Sequence, residues 1–175
     1  GIKEALKDAD VCIALSKPGP GVIKKEWVAG MAEDAIVFAC ANPVPEIMPN
    51  EAKEAGAKIV ATGRSDFENQ LNNALGFPAV FRGALDVRAR SITDGMCMSA
   101  ARAIAEYAEE QGLSESHIIP RIEDAEMYVR EAVAVGVAAI REGVARRKLS
   151  ESEIEERVRA KIERARGEIG KRAED

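Results

Sequence analysis

At 175 residues, 46% of them hydrophobic and 31% charged, the chain has the makeup of a globular protein with room for a core of its own. Aromatics are only 4%, so that core rests on Ala, Val, Ile and Leu, which favours an Ala-rich helical or α/β protein over a β-sandwich. The formal charge of −5, with Lys and Arg interspersed among acids, argues against a nucleic acid or an anionic membrane as partner and for small-molecule chemistry.

The first ten residues are charged and unlike a targeting segment, and no stretch reaches the roughly 20 apolar residues of a membrane span. A chain that opens on Gly1 without Met is expected to be a processed, truncated or partial one. Three short apolar runs follow, at 11–15, 36–41 and 58–62, each bounded by Gly, Pro or Asp and too short for a typical helix. They are apolar throughout rather than alternating, as expected of parallel strands covered by helices on both faces. Between them, residues 24–32 and 49–55 have helical character, the second opening on Pro49. The order β-α-β-α-β places every strand-to-helix loop on one edge of the sheet. Cys12, Cys40 and Cys97 are odd in number and set in apolar runs, which fits buried reduced thiols in a cytoplasmic protein.

Helix follows helix in the second part. Ile92, Met96, Ala100, Ala103 and Tyr107 recur at helical spacing, and residues 120–144 form a longer apolar segment ending near Gly143. The uncharged stretch 132–140 has the length of a buried strand, but its Ala content and charged flanks favour a buried helix. The tail opens with Ser150 and Glu153 in a capping-box pattern, and Ile154, Val158, Ile162 and Ile169 form a narrow apolar stripe. That stripe needs a partner, either the body of the same chain or a second subunit. The expected organisation is a sheet-bearing part at 1–90, helices packed on it at 91–148, and a charged amphipathic helix at 149–175.

Ligands of open parallel sheets sit beyond the carboxyl ends of the strands, so the loops there carry the candidate chemistry. Ser16-Lys17-Pro18-Gly19-Pro20-Gly21 follows the first run and permits close backbone approach, though a plain turn explains it equally well. Asn42-Pro43-Val44-Pro45-Glu46 follows the second. Its amide suits a ribose hydroxyl, a carboxamide or a carboxylate, but the local sequence favours a turn residue bonded to its own backbone. Beyond the third, Asn69-Gln70-Leu71-Asn72-Asn73 packs four amides into five residues. Capping accounts for one or two and leaves the others looking for a ligand.

At these loops the sequence resembles malic enzymes. The similarity is carried by Ala39-Cys40-Ala41-Asn42-Pro43-Val44-Pro45-Glu46, Ala61-Thr62-Gly63-Arg64-Ser65-Asp66 and Asn69-Gln70-Leu71-Asn72-Asn73, and continues through Phe77-Pro78-Ala79-Val80-Phe81-Arg82-Gly83-Ala84-Leu85-Asp86. It extends over most of the chain, to Glu142-Gly143-Val144-Ala145-Arg146, with local departures at the repeated Pro-Gly of 18–21 and at Ala79. The resemblance implies a partial Rossmann-like sheet followed by a helical region, and oxidation of malate by NAD or NADP with metal-assisted decarboxylation to pyruvate. It implies that Asn42 and Asn72 face malate and the nicotinamide end of the cofactor, that Asn73 is a secondary candidate, and that Ser16 lines the nicotinamide pocket. The phosphate-binding glycine loop, the ligands of Mg2+ or Mn2+, and the catalytic lysine and tyrosine are then expected upstream of Gly1. The chain is expected to be inactive alone, to act with the upstream part of the same enzyme, and to form a homodimer. Two other readings compete: a non-catalytic binding or assembly module, and another nicotinamide-dependent dehydrogenase.

Overall fold

A computed structural model describes the backbone of residues 1–173 and the side chains of residues 1–165. The elements run α1 (Ile2–Leu6), β1 (Val11–Ala14), α2 (Lys25–Val28), β2 (Ile36–Ala39), α3 (Pro49–Glu54), β3 (Ile59–Thr62), a 3-10 turn (Asn73–Leu75), α4 (Phe77–Asp86), α5 (Asp94–Gln111), α6 (Ala125–Arg141) and α7 (Glu151–Ala173). They form two compact units, one of Gly1–Asn73 with Gln111–Ile119, the other of Ala74–Glu110 with Pro120–Asp175.

The first unit is built on a three-stranded parallel sheet in the order β1-β2-β3. All three expected strands form, one or two residues shorter than their apolar runs, β1 and β2 at their ends and β3 at its start. Register sets Cys12 beside Val37 beside Val60, and Ala14 beside Ala39 beside Thr62. That face is buried, packed with Leu6, Val28, Ile47 and Ala52 from the helices and loops around it. The opposite face is graded. Ala61 of β3 is fully buried, Ile36 and Phe38 of β2 are half-covered, and Val11 and Ile13 of β1 are 47% and 62% exposed, with Leu15 just beyond at 78%. Helix α2 is shorter than its expected span, since the Gly30 N–H closes back on the Trp27 carbonyl and the Ala32 N–H turns away to the Ala9 carbonyl.

The second unit is helical. Residues 132–140, expected as a buried helix from sequence, lie within α6, whose Ala132, Val135, Ala138 and Ala139 form the centre of the core. Helix α4 reaches α6 closely because position 83 is glycine: a Cβ there would sit 2.3 Å from the Ala132 carbonyl oxygen. The α7 capping box forms, with Glu153 Oε2 accepting the Ser150 N–H at 2.7 Å and Ser150 Oγ accepting the Glu153 N–H at 3.3 Å. Ile154 and Val158 are fully buried and Ile162 packs beside them against the same core, so these members of the stripe dock on the chain's own helices. The side chain of Ile169 lies outside the described residues. Of the three free thiols, Cys12 is buried, Cys40 is half-buried, and Cys97, contrary to expectation, is exposed on α5, while its neighbours Met96 and Ala100 are buried.

Candidate functional site

The tips of the three strands lie along one edge of the sheet, and both side chains and backbone stitch their loops together. Ser16 follows β1 by two residues and is exposed. Its N–H and its hydroxyl both donate to Glu46 Oε1, at 2.8 and 3.0 Å. The other carboxylate oxygen, Oε2, accepts the Ala41 N–H at the tip of β2, at 3.1 Å. The Glu46 carbonyl in turn accepts the N–H groups of Gly21 and Ile23, both at 3.1 Å. Glu46 is fully buried between Pro45 and Ile47. Burial alone would lift its carboxyl, but donation from the Ser16 and Ala41 backbone, its own N–H and the Ser16 hydroxyl outweighs that and holds it below the ordinary carboxylate value.

Asn42 is exposed at the tip of β2, on the far side of a cis bond to Pro43. Gly63, after β3, presses against it: a Cβ on Gly63 would fall 2.9 Å from Asn42 Nδ2 and 2.9 Å from the Cys40 carbonyl oxygen, so only glycine allows this approach. Arg64 closes the same seam, donating to the Pro43 carbonyl at 3.0 Å while its guanidinium grips Asp66.

The amide-rich segment divides in two. Asn69 is buried, with φ at +52°, and is wholly structural. Its Nδ2 donates to the Val60 and Glu115 carbonyls at 3.1 and 2.8 Å, and its Oδ1 accepts the Ile118 N–H at 3.0 Å. Residues 70–72 instead run along the end of β3, with the Leu71 N–H on the Thr62 carbonyl at 2.8 Å and the Asn72 N–H on the Gln70 carbonyl at 2.9 Å. Asn72 is half-buried there, Asn73 opens the 3-10 turn and is exposed, and the Gln70 amide oxygen is buried without a partner. Ser16, Asn42 and Asn72 therefore share the carboxyl edge of one parallel sheet.

Sequence reasoning passed over Glu46, quoted within its motif but given no role, and Gly63. The available signal was an acid enclosed by Pro45 and Ile47, an unusual setting for a solvated side chain. Among the described residues no group of three or more His, Cys, Asp or Glu is placed to hold a metal ion. Nor is any described helix long and apolar enough to cross a membrane.

A family profile described as "Malic enzyme, NAD binding domain" matches residues 5–142. The chain is 49% identical over 158 residues to the bifunctional malic/malolactic enzyme of Bacillus subtilis (strain 168), covering 90% of this chain and 38% of that protein. Among solved structures, the malic enzyme from Pyrococcus horikoshii Ot3 superposes with a TM-score of 0.88 at 60% identity, over 93% of this chain and 37% of the other. The Entamoeba histolytica malic enzyme gives a TM-score of 0.95 at 51% identity, over 97% and 35%. Relatives named as NAD-dependent and as NADP-dependent malic enzymes both occur, at 49% and 42% identity. The chain thus spans between 30% and 38% of the length of these proteins. With the parallel sheet, the profile match establishes that this chain belongs to the malic enzyme family, within the span of its NAD-binding domain.

Proposed function

We propose that this chain supplies the nicotinamide side of the dinucleotide site in a longer malic enzyme, which oxidises malate with NAD or NADP and releases pyruvate and CO2. The observation that carries the reading is the convergence of Ser16, Asn42 and the 70–72 segment on one strand edge, with Gly63 pressed against the Asn42 amide. An open edge of this kind is where parallel α/β sheets take their ligands.

The residues present fit a nicotinamide end. Asn42 and Asn72 are neutral amides that donate through Nδ2 and accept through Oδ1, so they orient a carboxylate or a ribose hydroxyl without adding charge. The buried Gln70 oxygen still lacks a donor, which suits a ligand bearing N–H or O–H groups. Ser16 and Asn73 flank these amides as secondary contacts. When bound, the dinucleotide is the two-electron acceptor and a divalent metal the Lewis acid. On the family resemblance, Mg2+ or Mn2+, with the catalytic lysine and tyrosine, is assigned to the upstream part of the polypeptide, and this chain is expected to be inactive alone.

The test is malate-dependent reduction of NAD and of NADP, with Mn2+, by the complete polypeptide and by its Asn42→Ala and Asn72→Ala variants. Losing a positioned amide is expected to lower kcat/KM on the order of 100-fold in each. Wild-type turnover in both variants would defeat the proposal.

A further inference from the structure

Glu46 is a polar residue of this edge that solvent does not reach and whose carboxylate is spent entirely within the protein. Its two oxygens accept three donors: the Ser16 N–H and hydroxyl on one side, the Ala41 N–H on the other. Thirty residues separate Ser16 from Glu46 in sequence, so this is the side-chain tie between the tip of β1 and the tip of β2. The main chain repeats it, through the Gly19 N–H on the Val44 carbonyl at 3.2 Å and the Gly21 and Ile23 N–H groups on the Glu46 carbonyl.

We infer that Glu46 is a positioning residue: its carboxylate locks the Ser16 loop to the Ala41-Asn42 tip, so that Ser16 and Asn42 meet their ligands as one preformed surface. The inference rests on the reading above, that these two residues face the nicotinamide end and malate. A carboxylate is required because three donors converge and none of the surrounding groups is an acceptor needing a proton. Glutamine has the same shape but only one amide oxygen. In one orientation its Nε2 opposes the Ala41 N–H; in the other it opposes the Ser16 N–H. Either way one tip is released, while the volume buried among Pro45 and Ile47 is kept. Reacting groups displaced by about 1 Å lose roughly 100-fold in rate, so small slippage of a strand tip is enough to register.

The experiment uses the complete polypeptide with malate, NAD(P) and Mn2+, assayed well below the thermal midpoint so that only folded protein is compared. Glu46→Gln is expected to lower kcat/KM about 10- to 100-fold, shared between a raised KM for the dinucleotide and a reduced kcat. Glu131→Gln, a buried carboxyl among the helices, serves as control and leaves both constants unchanged. If Glu46→Gln does not fold, Glu46→Asp, which keeps the charge but is one methylene short, is expected to fold and show the same split. Kinetic constants within twofold of wild type in the folded variant would overturn the inference. Failure of both variants to fold would overturn it too, assigning Glu46 to folding alone. A wild-type polypeptide without malate-dependent turnover would instead defeat the functional reading on which it rests.

Discussion

Replacing Glu131 by Gln should stabilise the protein by an amount that grows with pH. Glu131 lies on α6, is fully buried, and neither of its carboxylate oxygens has a partner. The approach of α4 brings Oε1 to 3.8 Å from where a Cβ on Gly76 would lie. No cation compensates: neighbouring Arg130 pairs with Glu110 and stacks over Tyr107, and Tyr128, one turn back, donates its hydroxyl to the Ala74 carbonyl. Burial therefore pushes the Glu131 carboxyl up to about 8 from 4.5. The sign follows from where the proton binds more tightly. Below pH 4.5 both folded and unfolded chains carry it, and folding pays no penalty. Between pH 4.5 and about 8 the unfolded chain ionises while the folded one stays protonated, and stability falls by about 1.4 kcal/mol per pH unit. Above pH 8 the loss levels off. The accumulated cost is on the order of 3 kcal/mol at pH 7 and 5 kcal/mol at pH 8. Gln keeps the shape and does not titrate, so its advantage over wild type should be near zero at pH 4.5 and approach these values. Glu131→Met, which also removes the orphaned oxygens, should exceed Gln at every pH by roughly 1–3 kcal/mol. Urea unfolding followed by far-ultraviolet circular dichroism from pH 4.5 to 8.5 measures this. Parallel stability curves for wild type and Glu131→Gln across that window would refute the reasoning.

Two further substitutions probe the packing. Gly83→Ala drives a methyl into the Ala132 carbonyl and should cost about 3 kcal/mol or more, seen as a lowered thermal midpoint; an unchanged midpoint would mean that α4 and α6 separate freely. Asn69→Ala leaves the Val60 and Glu115 carbonyls and the Ile118 N–H without their partner and places alanine at positive φ, for a loss of about 3 kcal/mol. The Ile118 amide should then exchange with solvent far faster, and unaltered protection there would show that something else holds residues 111–119.

The sheet was legible because strands in a parallel core are written as uninterrupted apolar runs with Gly, Pro or Asp at their ends. The ends of the first two runs were over-read, since Leu15 and Ala41 stay apolar beyond the last pairing. The helical identity of 132–140 followed from its Ala content, and the α7 cap from Ser150 and Glu153 alone, because both are local effects. The site was legible only through the order of its loops. Nothing local to Asn69 distinguishes it from Asn72, yet one holds a chain segment 46 residues away and the other lies along the strand end. Glu46 follows the same rule: its apolar flanks hint at burial, but what it binds shows only once its partner 30 residues upstream is placed beside it. Glu131 was hidden because an acid flanking an Ala-rich helix is ordinarily a solvated residue, and only the close approach of α4 denies it water.

The sheet's graded face has a consequence for the longer polypeptide proposed above. Val11, Ile13 and Leu15 form an apolar ribbon on a border strand whose outer backbone has no neighbour among the described residues. Such a border accepts a further strand, and in that polypeptide the upstream part of the same chain would cover β1. Lys17 and Pro18 lie directly after it, one bringing charge and the other lacking an N–H, so strand pairing there is confined to the residues before the Pro-Gly loop.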